Sequence, residues 1–90
     1  MSEGYDRFLG SVVVADTPGP FVYVGRLVEA NDRFLTLEDA DIFDTDSCNT
    51  TKAVYLAEAR RSGFIPTRKS VHVKQDMVVS LSRLEDILLY

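Results

Sequence analysis

The segment at residues 21–43, FVYVGRLVEANDRFLTLEDADIF, decides the fold. Its apolar residues recur with a period of two and are rich in valine, leucine and aromatic side chains, which is typical of β-strands. Asn31 and Asp32 interrupt the pattern, and both residue types tolerate the backbone geometry of tight turns. The segment therefore predicts two long antiparallel strands joined by a connection of about two or three residues.

A change of parity in the second arm predicts a β-bulge. Leu35 and Leu37 occupy odd positions, whereas Ala40 and Ile42 occupy even ones. Because a slip of one residue turns every later side chain to the other face, an extra residue at positions 38–39 must be accommodated. Gly25 lies opposite in the first arm and permits a sharp bend. We expect a hairpin bent strongly enough to form a small barrel.

The first arm also predicts two distinct faces. Its alternation assigns its apolar residues to two sets, Val22, Val24, Val28 and Ala30 on one face and Phe21, Tyr23 and Leu27 on the other. This period-2 spacing is rich in residues that suit a pleated sheet.

The amino-acid composition restricts the class of protein to which the chain can belong. The 90 residues are 46% hydrophobic and 27% charged, which predicts one globular domain over residues 1–90. Ten Lys and Arg against fourteen Asp and Glu give a net charge of −4, so any nucleic-acid site must be local. The acidic start of the chain, the short apolar runs and the single cysteine, Cys48, predict a cytoplasmic protein without a membrane partner.

Shorter elements flank the hairpin. In chain order we predict a helix over residues 2–10 that Ser2 caps, a strand over 11–16, an irregular excursion over 44–70, and strands over 71–74 and 77–82. Within the excursion, Thr50 or Thr51 caps a helix that runs through Ser62 and ends at Gly63. The apolar residues Leu84, Ile87 and Leu88 indicate a final helical turn or a tail docked on a neighbour.

This order of elements resembles the Sm-like (LSm, Hfq) fold. Residues 25–28, GRLV, resemble the start of the family's first motif, and residues 37–40, LEDA, resemble its closing leucine-x-acid-alanine. Residues 73–78, VKQDMV, are similar to the second motif, in which a basic residue and a turn separate two short strands. The resemblance implies a mainly β fold: a small five-stranded, strongly bent antiparallel barrel with a short N-terminal helix and a helical insertion between strands 3 and 4.

Two positions depart from the family pattern. Where Sm proteins usually place an asparagine that reads the edge of a uracil, this sequence has Leu35. The Arg-Gly pair of the second motif is replaced by Lys74-Gln75, which is closer to the Hfq-like version. The resemblance therefore implies the family's ring but not its preference for uridine.

Short strands favour self-assembly on physical grounds as well. The outer edges of the fourth and fifth strands would lack partners, and pairing them head to tail between copies closes a ring. We expect a homo-oligomeric ring of roughly five to seven subunits. The residues assigned to this interface or its surroundings are Val71, Val73, Met77, Val79 and Leu81.

The resemblance also implies that the two turns, at residues 31–33 and 74–76, meet at a central pore where family members bind single-stranded RNA. Cationic side chains suit phosphates, amides suit base edges, and an aromatic ring can stack on a base. The RNA-binding residues that we predict on this basis are Asn31, Asp32, Arg33, Phe34, Lys74 and Gln75. The alternative is that Arg33 and Lys74 are solvated turn residues and that Phe34 belongs to the core.

Other clusters favour structural roles. The basic residues Arg60, Arg61, Arg68 and Lys69 suggest an outer patch for nucleic acid or an acidic protein, but a solvated helix end is the simpler interpretation. The acidic residues Asp39, Asp41, Asp44 and Asp46 lack the spacing of a calcium loop, so we expect no metal or other cofactor. Cys48 and His72 are the one conceivable nucleophilic pair, and we expect no catalytic residues and no enzyme activity.

Two hypotheses follow. The first is a cytoplasmic ring that binds single-stranded RNA at the pore. The second is a homo-oligomeric scaffold that binds an unidentified protein and no RNA, which the acidic net charge and the helical excursion favour.

Overall fold

The chain folds into a bent antiparallel sheet, which a computed structural model describes over residues 3–89. The strands are β1 (Val12–Asp16), β2 (Phe21–Ala30), β3 (Phe34–Asp44), β4 (Arg68–Lys74) and β5 (Ser80–Arg83), in the spatial order β4-β3-β2-β1-β5. The helix α1 (Lys52–Ser62) lies between β3 and β4, and 3-10 helices lie at Glu3–Phe8, Thr45–Ser47, Gln75–Met77 and Leu84–Asp86. The predicted architecture, with a short helix before β1 and a helical insertion between strands 3 and 4, is confirmed.

A bulge opposite Gly25 is confirmed in the central hairpin, and it lies at Asp39 and Ala40, one residue later than the predicted 38–39. Val24 pairs with Asp41 and Arg26 with Glu38, so Gly25 alone faces two residues of β3. Asp39 has a φ of 50°, the left-handed geometry that a bulge of this type requires. A Cβ on Gly25 would lie 2.8 Å from the Ala40 Cβ, so only glycine fits the close approach of the two strands.

A second irregularity corrects the predicted faces of β2. Leu27 pairs with Leu37 and Glu29 with Thr36, which leaves Val28 as an extra residue in β2. Ala30 therefore packs on the same side as Leu27, and its assignment to the face of Val22 and Val24 was wrong. The bulge at Val28 reverses the parity for the remainder of the strand.

Apolar residues cover both faces of the sheet. The inner cluster comprises Val13, Leu27, Leu35, Leu37, Ala40 and Val73, against which the N-terminal 3-10 helix packs Tyr5 and Phe8. The outer cluster comprises Val14, Val22 and Val24, covered by side chains of β3, α1 and the C-terminal tail, among them Phe43, Tyr55, Leu56, Leu84 and Ile87. The insertion thus closes the outer face of the sheet.

The helix α1 begins and ends where its cap residues predict. The Thr51 side chain accepts a hydrogen bond from the Val54 amide, and Gly63 ends the helix with a φ of 84°. At the N-terminal end, the Lys52 Nζ donates to the Asp16 Oδ1 at 2.7 Å and to two carbonyls of the β1–β2 connection. These contacts anchor the insertion to the sheet.

A polar cluster fixes the other side of the helix. The Tyr55 hydroxyl donates to the Asp41 Oδ2 at 2.5 Å, and the Thr67 hydroxyl donates to the other oxygen of that carboxylate at 2.8 Å. The Tyr55 ring stacks on Phe43 with centroids 4.3 Å apart. Burial, then the hydrogen bond to Asp41 and its negative charge, raises the pKa of Tyr55 well above the ordinary value.

Two predicted boundaries need correction. The fourth strand begins at Arg68 rather than at Val71, because it pairs with β3 as far as Ala40. The fifth strand begins at Ser80, because residues 75–77 form a 3-10 turn. Consequently Val78 and Leu81 pack on the inner cluster, whereas Met77 and Val79 are 50% and 63% exposed.

The structure also bears on the predictions for the two ends of the chain. The final turn is a 3-10 helix at Leu84–Asp86. The predicted cap at Ser2 lies outside the described residues. Among residues 3–89, every helix is too short or too polar to cross a bilayer.

Candidate nucleic-acid interface

The β2–β3 turn is held by its own asparagine. The Asn31 Oδ1 accepts hydrogen bonds from the backbone amides of Arg33 and Phe34, both at 2.8 Å. The Asn31 amide in turn donates to the Phe34 carbonyl at 3.0 Å. This local bonding replaces the absent Asn-Gly pair, and it fixes a connection of residues 31–33 between the strands.

The β4–β5 turn contacts the β2–β3 turn directly. The Gln75 backbone amide donates to the Arg33 carbonyl at 2.8 Å, and the Gln75 side-chain amide donates to the Asn31 carbonyl. The Tyr5 hydroxyl donates to the Gln75 Oε1 at 3.2 Å. The structure therefore brings together the two turns, and it adds the N-terminal 3-10 helix as a third support.

The two turns enclose an open cavity. Its volume is about 500 Å³, and the residues that line it are Asp32, Arg33, Phe34, Lys74 and Asp76. Four of these belong to the predicted set, and the sequence interpretation missed Asp76 as a lining residue. The signal that could have identified Asp76 in the sequence was its position next to Gln75 in the second turn.

Phe34 lies at the surface and is not part of the core. It is 37% exposed, and its ring lies edge-on to His72 with centroids 6.2 Å apart. The His72 Nδ1 lies 2.9 Å from the Thr36 hydroxyl oxygen, which holds the imidazole beside the phenyl ring. An exposed aromatic ring at the rim of a cavity is available for stacking.

The predicted amides are already engaged within the chain. The Asn31 Oδ1 caps its own turn, and both ends of the Gln75 amide are hydrogen bonded. Turning the Gln75 amide toward a base edge would break the bonds to Tyr5 and to the Asn31 carbonyl, which hold this side chain between the turns. In the structure Asn31 and Gln75 thus hold the two turns in place, whereas the side chains of Arg33, Phe34 and Lys74 line the cavity.

The charges at the cavity balance. Arg33 and Lys74 contribute two positive charges, and Asp32 and Asp76 contribute two negative charges. Because attraction of phosphates depends on local positive charge, the acidic pair weakens any electrostatic contribution of this surface.

The other clusters have internal partners. Arg60 donates to the Glu85 carbonyl, Arg61 pairs with Glu58 at 3.3 Å, and Arg68 donates to the Thr67 carbonyl. Each of these three side chains thus has a hydrogen-bond partner within the chain, and all three remain exposed at the surface.

The acidic residues are likewise distributed among different contacts. Asp39 pairs with Arg26, Asp41 binds Tyr55 and Thr67, and Asp44 caps the 3-10 helix at Thr45–Ser47. Residues 3–89 contain no group of three or more His, Cys, Asp or Glu side chains arranged to hold a metal ion.

The conceivable nucleophilic pair has separate surroundings. Cys48 is exposed, and its Sγ contacts the Asp44 carbonyl at 3.7 Å. His72 contacts Thr36 and Phe34 on the sheet.

A solved protein shares this arrangement of strands. The Sm protein of Pyrococcus abyssii, whose structure is described as a complex with a uridine heptamer, matches 90% of this chain over 93% of its own length. The TM-score is 0.61 and the sequence identity is 17%. The chain has an Sm-like fold. No protein-family model and no curated protein matches this Sm-like chain by sequence.

The Sm-like fold shows the consequence of having Leu35 where the family pattern places an asparagine. Leu35 is fully buried in the inner cluster, so it cannot contact a ligand from that position. The exposed residues nearest to it along β3 are Phe34 and the turn before it. At this end of β3, the side chains that remain accessible to a ligand are therefore those of Phe34 and of the turn before it.

Proposed function

We propose that this Sm-like chain assembles head to tail into a ring and binds single-stranded RNA at the surface formed by its two turns. The observation that carries the proposal is the convergence of Arg33, Phe34 and Lys74 on one cavity. The solved Sm protein with the same fold is described in complex with a uridine heptamer, which supports RNA as the ligand class. The proposal includes a cytoplasmic location and no catalysed reaction.

The chemistry of the cavity suits a nucleotide. The guanidinium of Arg33 and the ammonium of Lys74 can donate to phosphate oxygens, and the exposed face of Phe34 can stack on a base. Stacking accepts every base, and Leu35 stands where the family's uracil-reading asparagine is expected. We therefore propose weak sequence preference, with affinity built by repetition around the ring.

The two outer strands support the proposed ring. Within residues 3–89, β4 pairs with β3 alone and β5 with β1 alone, so each presents one edge without a partner strand. Unpaired edges favour addition of another strand, and a β4–β5 contact between copies is head to tail. Exposed apolar residues beside β5, Met77 at 50% and Val79 at 63%, also favour coverage by a second copy.

A titration with fluorescent oligonucleotides tests the RNA claim. We expect short single-stranded U-rich and A-rich RNAs to bind at low salt and to dissociate as salt rises. Arg33→Gln and Lys74→Gln should each weaken binding by about tenfold, because the lost cation is repeated in every subunit.

The matched control is Arg61→Gln, which removes an equal charge from α1, away from the cavity. It should leave the affinity within about twofold of the parent. Absence of binding at low salt, or equal losses in all three variants, would refute the proposed site.

A second candidate function is a protein-binding ring without RNA. The balanced charges of the cavity and the exposed apolar residues Val54 and Leu88 favour it. Purification with and without nuclease separates the two functions, because partners held by RNA are lost after digestion and direct protein partners remain. The ratio of absorbance at about 260 and 280 nm reports any copurified nucleic acid.

A further inference from the structure

A second cavity lies beside the start of β1 and the end of β5. Its volume is about 480 Å³, and its lining includes Gly10, Ser11, Val12, Arg60, Arg83 and Glu85. None of these residues lines the cavity of the two turns. Pockets that bind small molecules have volumes of about 300–1,000 Å³, so this cavity has room for a ligand of its own.

Contacts within the chain fix the guanidinium of Arg83, the last residue of β5. The Arg83 Nε donates to the Ser11 Oγ at 3.4 Å, and the Arg83 Nη2 donates to the Arg7 carbonyl. The group also lies over the Phe8 ring, with 5.1 Å between Cζ and the ring centroid. A cation that is already held by an aromatic ring and two oxygens loses little freedom when it binds a ligand.

The helix α1 brings a second guanidinium, that of Arg60, to the same cavity. The Arg60 Nε donates to the Glu85 carbonyl at 3.1 Å, which ties the helix to the chain after β5. Among residues 3–89, the hydrogen bonds of the two arginines leave Nη1 and Nη2 of Arg60 and Nη1 of Arg83 without a partner. Three terminal nitrogen atoms are therefore available to a ligand.

The lining of this cavity carries more positive than negative charge. Arg60 and Arg83 contribute two positive charges, and Glu85 contributes one negative charge. Within the described part of the chain, no ion pair joins the Glu85 carboxylate to either guanidinium. Both cations thus remain available to an anion, whereas the cavity of the two turns is lined by equal numbers of cations and anions.

The chemistry of the two arginines suits one class of anion. A phosphate monoester presents three terminal oxygens and carries a charge of about −1.5 to −2 near neutral pH. A carboxylate or a phosphate diester has two terminal oxygens and a single negative charge. Guanidinium groups bind phosphate oxygens in a planar, often bidentate geometry, so two of them favour the monoester over the other anions.

We propose that this cavity binds a phosphate monoester through Arg60 and Arg83. The Ser11 hydroxyl, which accepts from the Arg83 Nε, is a positioning group. The monoester belongs either to a free phosphorylated small molecule or to the terminal phosphate of a nucleic acid, since both present the same group. The site uses none of the residues proposed to bind RNA at the two turns, and it requires no ring.

An NMR titration of the full chain with ribose 5-phosphate tests the site. The probe carries the monoester but no base, so it has nothing to stack on Phe34. The Nε–H signals of Arg60 and Arg83 and the backbone amide signals of Gly10 and Ser11 should shift and reach saturation. Ribose, and sodium chloride at equal ionic strength, should leave these signals in place. Absence of a saturating shift with ribose 5-phosphate, or an equal shift with chloride, would overturn the proposal.

Substitutions at the exposed end of the cavity identify the residues responsible. Arg60→Gln should weaken the binding of ribose 5-phosphate by about tenfold, and it spares the contacts that fix Arg83. The matched control, Arg61→Gln, removes an equal charge at the next position of α1 and should keep the affinity within about twofold. Equal affinities of these two variants would refute the role of Arg60.

The carboxylate of Glu85 provides a test with the opposite sign. Glu85→Gln removes the negative charge from the lining and keeps the backbone carbonyl that holds Arg60. We expect this variant to bind ribose 5-phosphate about twofold or more tightly than the parent, because repulsion of the dianion is lost. Unchanged or weaker binding would contradict the assignment of the phosphate to this cavity.

Paired oligonucleotides with a 5′-phosphate or a 5′-hydroxyl distinguish the two sources of the monoester. If the 5′-phosphorylated oligonucleotide shifts the Arg60 and Arg83 signals at lower concentration than ribose 5-phosphate, the ligand is the end of a nucleic acid. If ribose 5-phosphate acts at an equal or lower concentration, the ligand is a small molecule. Equal shifts with the 5′-hydroxyl oligonucleotide would overturn the proposal, because backbone diesters would then suffice. Loss of RNA binding in Arg33→Gln with these shifts retained would separate the two sites.

Discussion

Gly25 determines how closely the two long strands approach at the bulge. A Cβ at this position would lie 2.8 Å from the Ala40 Cβ and 3.1 Å from the Ala40 Cα. Since backbone must move to relieve the second contact, we expect Gly25→Ala to lower the free energy of unfolding by about 1–3 kcal/mol. Urea denaturation measures the change.

Gly19→Ala is the matched control for this substitution. A Cβ there would meet no atom within 4 Å, so its effect should stay within about 1 kcal/mol. Equal effects of the two substitutions would show that the hairpin tolerates a side chain at the bulge.

The raised pKa of Tyr55 predicts that the folded protein loses stability at alkaline pH. Its pKa is raised above the ordinary value of 10.0 by burial and by the carboxylate of Asp41. Below pH 10.0 the phenol is protonated in both states and the contribution is complete. Above that pH the unfolded chain releases the proton while the folded chain retains it, so the free energy of unfolding falls.

The variant Tyr55→Phe isolates this effect. At neutral pH it should cost about 1 kcal/mol, because the hydrogen bond to Asp41 is lost. Urea denaturation between about pH 8 and pH 11 should show the difference between parent and variant shrinking as pH rises. A difference that stays constant would contradict the raised pKa.

Single residues also show which features of the fold could be predicted from the sequence and which could not. A bulge between Leu37 and Ala40 was predictable, because these residues differ in parity and Gly25 lies opposite. The structure places it at Asp39 and Ala40, one residue later than predicted. The extra residue at Val28 was not, because Val28 and Ala30 are both apolar and share a parity with Val24. Nothing in the pattern distinguishes an irregular pairing there from a continuous strand.

At the scale of elements, the insertion depends on one lysine. The Lys52 Nζ is surrounded by the Asp16 carboxylate and the carbonyls of Thr17 and Gly19, all within 2.9 Å. We expect Lys52→Met to lower the free energy of unfolding by about 1–2 kcal/mol, discounted for partial exposure of the pair. Hydrogen exchange of the α1 amides should quicken.

The control for this anchor is Arg61→Met, which breaks the exposed pair with Glu58. Its cost should be below about 0.5 kcal/mol, as for most exposed ion pairs. Similar exchange rates in the two variants would mean that apolar packing alone positions α1.

A helix or strand could be predicted from the sequence where the residues that begin and end it lie within or beside it. Thr50 or Thr51 and Gly63 marked the two ends of α1 in the sequence, and Thr51 and Gly63 perform these roles in the structure. The start of β5 was misplaced, because Met77 and Val79 continue an alternating pattern although residues 75–77 form a turn. The docking of α1 on the outer face depends on contacts distant in sequence, which periodicity does not encode.

At the scale of the whole molecule, the candidate site depends on tertiary contacts. The family resemblance predicted that the two turns meet, and the hydrogen bond from Gln75 to Arg33 confirms their contact. The sequence did not show that the Gln75 amide would be consumed in this contact, nor that Asp76 would line the cavity. Which of several neighbouring polar groups form hydrogen bonds with each other depends on the distances between their atoms. Those distances are set by the folded structure.

The charges at the two free edges predict which end of one copy meets the next. Arg68 and Lys69 lie at the start of β4, and Glu85 and Asp86 follow the end of β5. In the proposed head-to-tail contact, antiparallel pairing of β4 with β5 of the next copy would place the start of β4 near the residues that follow β5, so Arg68 and Lys69 would lie near Glu85 and Asp86. Because each copy carries a net charge of −4, such pairs would offset part of the repulsion between copies.

Charge reversal tests this arrangement. A chain with Arg68→Glu and Lys69→Glu presents two acidic ends, and a chain with Glu85→Lys and Asp86→Lys presents two basic ends. Each alone should associate at least about tenfold more weakly at low salt, since like charges then face each other. Mixed in equal amounts, the two chains should recover the mass of the parent assembly, because acidic and basic ends alternate around the ring. Association of each chain alone as strongly as the parent would show that backbone pairing, without charge, sets the contact.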